Sequence, residues 1–176
     1  NHEIEYYNST SGELIAWVNV TSLESNSDTV LYLYYGNQYC QNQENISGTW
    51  DSNYINIQHL SETNGPLVDS TSYHHNLTQV GSVSGMGANA GKAGKCLDLE
   101  RDEESHFQRI LGSETYNNVT FEGWGKMETM VDYENMYTSG GPVFTIYLDG
   151  KIWFNGGGNV PAGTCSPNEW YYFTET

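Results

Sequence analysis

The chain has few basic residues. Lys plus Arg number 6 against 22 Asp plus Glu, a formal net charge of −16 over 176 residues. A surface so acidic repels phosphate, which excludes nucleic acid and anionic lipid as natural partners. Long apolar runs are absent too. The longest aliphatic stretch is Leu14 to Val18, far short of the roughly 20 residues of a membrane span, and no basic start followed by an apolar run marks a signal peptide. No Cys-x-x-Cys occurs among Cys40, Cys96 and Cys165, which argues against zinc and thioredoxin-like chemistry. No segment keeps a 3.6-residue apolar period over three turns, so helices are not expected.

What is present is aromatic and turn-forming. The 14 Tyr, 5 Trp and 19 Gly favour strands and turns and separate the chain from disordered acidic sequences, which are poor in aromatics. Residues 3–7 and 13–20 read as strands joined by the turn Asn8 to Gly12. Residues 29–35 (TVLYLYY) read as a third strand, giving an antiparallel meander. Residues 37–49 are polar and read as a linker. Tyr54 to Leu60 reads as a strand with Ile55, Ile57 and His59 on one face. The glycine-rich stretch from Gly81 to Lys95 suits an exposed loop. Short strands are expected at 95–99 and 105–111. Residues 119–130 alternate, with Phe121, Gly123 and Gly125 opposed to Glu122, Trp124 and Lys126. Asp149-Gly150 reads as a two-residue hairpin turn that sets Leu148 opposite Lys151 and Ile146 opposite Trp153. Residues 169–175 form a last strand. The expectation is an all-β antiparallel sandwich with long loops.

Two resemblances refine this reading. WVNV at 17–20 followed by LYLYYGN at 31–37 resembles the end of a prokaryotic surface-protein module catalogued only as a domain of unknown function. The resemblance covers about residues 3–37 and implies that the chain begins inside that module. Residues 50–176 resemble a laminin-G-like, concanavalin A-type jelly roll. HLSET at 59–63, VDSTSYHHNLT at 68–78, GKAGKCLDL at 91–99, FEGWGKME at 121–128 and EWYYFTET at 169–176 carry it. The division implied is a partial β-module and linker over 1–47 and a jelly roll over 48–176, truncated at its C-terminus. Such domains are mostly adhesion or glycan-binding modules, sometimes with calcium, at the extracellular surface of archaea or bacteria.

The candidate sites follow. Asp98, Asp102, Glu103 and Glu104 are clustered carboxylates of the kind that hold calcium at about 2.3–2.6 Å. The plainer reading is a solvated turn, since Arg101 interrupts them and no Asp-x-Asp-x-Asp-Gly loop is present. Asp69, Asp132 and Asp149 are lone alternatives. Glu3 and Glu5 share a strand face, as the carboxylates of concanavalin-type glucanases do at about 5–5.5 Å. A third carboxylate is missing, and an exposed, charge-protected edge is the favoured reading. His74 and His75 are chain neighbours that point apart, and no Ser-His-Asp order is defensible. Tyr133 and Tyr137 in a polar loop, and Trp153 in a hairpin, are candidate sugar platforms, though a hairpin Trp is more often core. Asn8, Asn19, Asn45, Asn76 and Asn118 head glycosylation sequons. Cys96 and Cys165 can pair if the chain is exported, leaving Cys40 over.

These readings point to a non-enzymatic surface module that binds glycans or other surface proteins. A structural subunit that self-associates through open sheet edges is the first alternative. A glucanase-like hydrolase is the second.

Overall fold

The computed structural model describes residues 1–100, 106–110, 114–128, 134–138, 143–146, 151–154 and 160–176. Its elements are nearly all strands in antiparallel pairs, with one four-residue helix, α1, at Ile46–Thr49. The chain divides into two compact units, residues 1–110 and 111–176.

The first unit opens with a hairpin of β1 (His2–Asn8) and β2 (Glu13–Val18). Asn8 makes the turn. Its Oδ1 accepts the amides of Thr10 and Ser11, its carbonyl accepts the Gly12 amide, and Gly12 takes a φ of +75°. A side-chain amide that mimics a backbone turn and a glycine free to enter the left-handed region explain why the strand reverses here. The pairing slips between Ile4 and Tyr6, so Glu5 is the extra residue of a β-bulge. Ile4, Leu14 and Val18 remain solvent-exposed.

Residues 29–35 do not form the expected third strand, so the hairpin does not extend into a meander. β-branched and aromatic residues give a segment the propensity for a strand, but a strand exists only where a neighbour supplies the ladder. No described residue does so. Tyr34 and Tyr35 are 89 % and 90 % exposed.

Asn45 caps α1, accepting the Gly48 amide at 3.1 Å. After it, residues 54–60 do not form the expected strand but only an isolated bridge between Gln58 and Asp69, and Leu60 takes a φ of +59°. A second bridge joins Leu67 and Leu77 through two backbone hydrogen bonds of 3.0 and 2.9 Å. Leu67 is fully buried, worth about 1.5–3 kcal/mol for a side chain of its size.

The glycine-rich stretch is not wholly a loop. Gly85–Ala90 forms β4 and pairs with β5 (Lys95–Asp98). Glycine is required for this approach. A Cβ on Gly85 would run into the Asp98 backbone, and one on Gly91 into the Lys95 carbonyl. Composition alone reads such a run as flexible, whereas here the missing side chains let two strands meet. β3 (Thr78–Val80) pairs with β6 (His106–Gln108).

The second unit holds β7 (Phe121–Gly125), β8 (Glu134–Thr138), β9 (Val143–Ile146), β10 (Lys151–Phe154), β11 (Val160–Thr164) and β12 (Tyr171–Glu175). β7 pairs with β12, and the other four form a sheet in the order β11-β10-β9-β8. Along β7 the expected alternation holds, with Gly125 buried and Glu122 and Trp124 exposed. β9 and β10 pair with Ile152 opposite Ile146 and Trp153 opposite Thr145. That is one residue away from the register expected of an Asp149-Gly150 turn. A two-residue loop leaves an even number of residues between paired positions, and this pairing leaves an odd one. Asp149 and Gly150 themselves lie outside the described residues.

Candidate functional site

Two carboxylates of β1 converge on one histidine. Glu3 and Glu5 lie two apart on β1, as strand alternation places side chains on one face, and Glu5 sits at the bulge between Ile4 and Tyr6. His59 Nδ1 meets Glu5 Oε2, and its Nε2 lies 3.2 Å from Glu3 Oε1. Neither glutamate forms the exposed edge expected of it. Glu3 is 5 % exposed and the Glu5 side chain 2 %.

Isolated buried carboxylates are costly, so their remaining lone pairs matter. Glu3 Oε2 accepts the indole N–H of Trp50 at 2.7 Å, and its Oε1 accepts the Ser70 hydroxyl at 2.6 Å. Glu5 Oε2 accepts the indole N–H of Trp17 at 2.8 Å. Glu5 Oε1 has no hydrogen-bond partner among the described residues. Burial lowers the affinity of His59 for its proton, but the hydrogen bond and charge of Glu5, joined by the charge and hydrogen bond of Glu3, outweigh it. The pKa is raised above 6.5.

The same clamp orients an aromatic group. Trp17 and Trp50 lie with ring centroids 5.5 Å apart, and Tyr54 meets Trp50 edge-on at 5.2 Å. The His59 ring lies 6.0 Å from Trp17 and 6.2 Å from Trp50. Trp17 is 39 % and Tyr54 42 % exposed. The indole N–H groups are thus turned inward and ring surface outward, a division of labour natural to an amphipathic ring.

Asp69 organises the neighbouring loop. It is 2 % exposed. Its Oδ1 accepts the amides of Ile57 and Thr71, and its Oδ2 the Thr71 hydroxyl and the His75 amide, all within 2.9 Å. Burial alone raises its pKa, and the bonds from Ile57, Thr71 and His75 together reverse that, leaving it below 3.8. With four donors already in place, this carboxylate is a structural strut. It is not an open ligand for a cation.

The residues singled out from sequence are scattered. Asp98 lies on β5, opposite Gly85. Asp102, Glu103, Glu104 and Tyr133 lie outside the described residues. Among the described residues, no three His, Cys, Asp or Glu side chains group as a metal site. Tyr137 falls on β8 and Trp153 on β10. Cys96 is half-buried on β5 of the first unit, and Cys165 is buried just after β11 of the second. Of the sequon asparagines, Asn45 caps α1 and also donates to Asn1, Asn19 donates to the Gly48 carbonyl, Asn8 holds the hairpin turn, and Asn76 accepts the Asp69 amide. Asn118 is exposed. No helix among the described residues is long and apolar enough to cross a membrane.

Trp17, Trp50 and Tyr54 were not candidates on sequence grounds. The only signal was an alternation of Glu on β1 with a Trp on each of two later segments. Nothing in one sequence says that these meet.

Residues 1–75 match the family described as Domain of unknown function (DUF2341). The matched stretch contains every side chain of the Glu3–His59–Glu5 clamp and its aromatic neighbours, and it runs past residue 47, where the sequence reading placed a boundary. No curated protein and no solved structure matches the chain.

Proposed function

We propose that the chain is part of an extracellular surface protein and that its first unit contacts carbohydrate, without catalysis, through the face made by Trp17, Trp50 and Tyr54. One observation carries the reading. Three ring systems sit together at the surface, and two of them are anchored by their polar edge to buried carboxylates. The apolar C–H face of a pyranose stacks on such rings, and anchoring removes part of the ordering cost of binding. The net charge of −16 selects neutral over acidic glycans. Residues 48–176 we read as the laminin-G-like, concanavalin A-type part, in keeping with their antiparallel pairing.

A hydrolase is disfavoured by the same geometry. Glu3 and Glu5 are engaged by His59, Ser70 and two indoles and do not line a groove as a free acid and nucleophile. Calcium is no part of this reading.

The test is a glycan array probed with the full chain, followed by Trp17→Ala and Tyr54→Ala. Binding to neutral glycans that both substitutions weaken supports the proposal. An array that stays blank, or binding indifferent to both changes, removes it.

A second reading has its own support. Residues 29–35 are uncharged, strand-prone and exposed, and Ile4, Leu14 and Val18 of the hairpin are exposed as well. Segments of this kind accept a strand from another chain. A structural subunit assembled by strand complementation follows from that feature.

A further inference from the structure

The buried charges of the clamp depend on a single proton. Among the described residues, Glu3 and Glu5, both on β1, are the charged groups that face the His59 ring. β2 contributes Trp17, the segment after α1 contributes Trp50, and the loop contributes Ser70, all uncharged. With His59 protonated, two buried carboxylates share one cation. With His59 neutral, two buried carboxylates face each other across an uncharged ring, and one of them must find water or move.

They are not held equally. Glu3 retains Trp50 and Ser70 if the ring loses its charge. Glu5 retains Trp17 and at most the one N–H of a neutral ring, both on Oε2, and its Oε1 already lacks a hydrogen-bond partner among the described residues. Glu5 is therefore the carboxylate that leaves, and Trp17, whose indole it anchors, goes with it.

We propose that the proton on His59 switches the aromatic face: protonated, it holds Trp17 against Trp50, and neutral, it lets Glu5 and Trp17 swing out together. The ligand that reads this switch rests on the carbohydrate proposal above, whereas the switch itself rests on the clamp. The sign is fixed. The assembled face belongs to the protonated state, so it is complete below 6.5 and is lost as pH rises through the folded-state value of His59, which lies above 6.5. If binding requires the protonated form, apparent affinity falls about tenfold per pH unit beyond that midpoint.

The experiment is a titration of the ¹⁵N-labelled full chain from about pH 5 to about pH 9, the range a shifted histidine spans. The indole signals of Trp17 and Trp50 are assigned with Trp17→Phe and Trp50→Phe. The expected result is a large shift or broadening of the Trp17 indole that tracks the His59 ring, with a smaller response at Trp50. His59→Gln should abolish the coupling. Because that variant leaves two buried carboxylates and can fail to fold, Glu5→Gln is the second arm. It removes one charge, lowers the His59 midpoint and uncouples Trp17 from it. A Trp17 indole that stays unchanged through the His59 midpoint overturns the proposal, as does a midpoint unmoved by Glu5→Gln. The ligand arm uses cellohexaose as the probe on either side of the midpoint. Equal affinity on both sides contradicts the switch. Lack of binding at both pH values together with a blank glycan array removes the carbohydrate reading, and the indole titration still decides the switch.

Discussion

The indole of Trp50 donates to Glu3 across 47 positions of sequence, at 2.7 Å. That bond ties the first strand to the segment that follows the short helix. It also fixes which edge of the indole faces inward. Glu3→Gln should cost about 1–3 kcal/mol, since an amide cannot accept from Trp50, Ser70 and His59 as a carboxylate does, and a buried donor left without an acceptor carries that penalty. Urea denaturation followed by tryptophan fluorescence measures it. A variant as stable as the parent contradicts the bond's structural role.

Stability should fall at both ends of the pH range, for different reasons. The native state holds the His59 proton more tightly than the unfolded chain does. Its contribution is complete below 6.5 and disappears as pH rises through the higher folded value. Asp69 works in the opposite sense. Its contribution is complete above 3.8 and disappears as pH falls through the lower folded value. Urea midpoints collected across pH should show a plateau bounded on both sides. Asp69→Asn should remove the acid limb, and His59→Gln the alkaline one.

The same Asp69→Asn change should be among the most damaging single substitutions in the first unit. An amide nitrogen takes the place of one oxygen, and at least one of the four donors now meets another donor. A loss of about 3 kcal/mol is expected where a charged acceptor is taken from buried donors. Thermal denaturation gives the comparison, with the exposed Asp51→Asn as the control that should change little.

Gly85→Val should disrupt the β4–β5 hairpin, because its side chain meets the Asp98 backbone and backbone cannot step aside. Overpacking of this kind costs about 1–3 kcal/mol. Hydrogen exchange at Met86 and Leu97, which face each other in this pair, should accelerate. Unchanged exchange there would mean the strands tolerate the added side chain.

The strand-complementation reading makes its own forecast. If residues 29–35 recruit a strand, the chain should associate as concentration rises. Leu31→Lys with Leu33→Lys should return it to monomer, because charge on an edge discourages pairing. Sedimentation velocity distinguishes the two, and a parent chain that stays monomeric throughout counts against this reading.

Local signals were the legible part of the sequence. The hairpin of β1 and β2, the strand at 121–125 and the last strand stand where alternation and turn residues put them, because those signals are short-range. Residues 29–35 show the limit. Their propensity is as strong as any in the chain, yet propensity does not supply a neighbour. Gly85 to Ala90 shows the converse, since a composition that disfavours strands becomes one where close approach is what the partner needs. The clamp was half visible. Alternation placed Glu3 and Glu5 on one face, but whether that face met water or a histidine depended on contacts between β1 and the segment around residue 59.

Asp69 gathers the amides of Ile57, Thr71 and His75 onto one carboxylate. A segment that reads as a surface loop is thereby bolted at three points to a single post. Proteases favour loop-like sequence because it can slide, extended, into their clefts. Here the stretch from residue 69 to residue 75 cannot lend itself to a protease without first unfastening Thr71 or His75 from Asp69, so cleavage there should report the opening of that post.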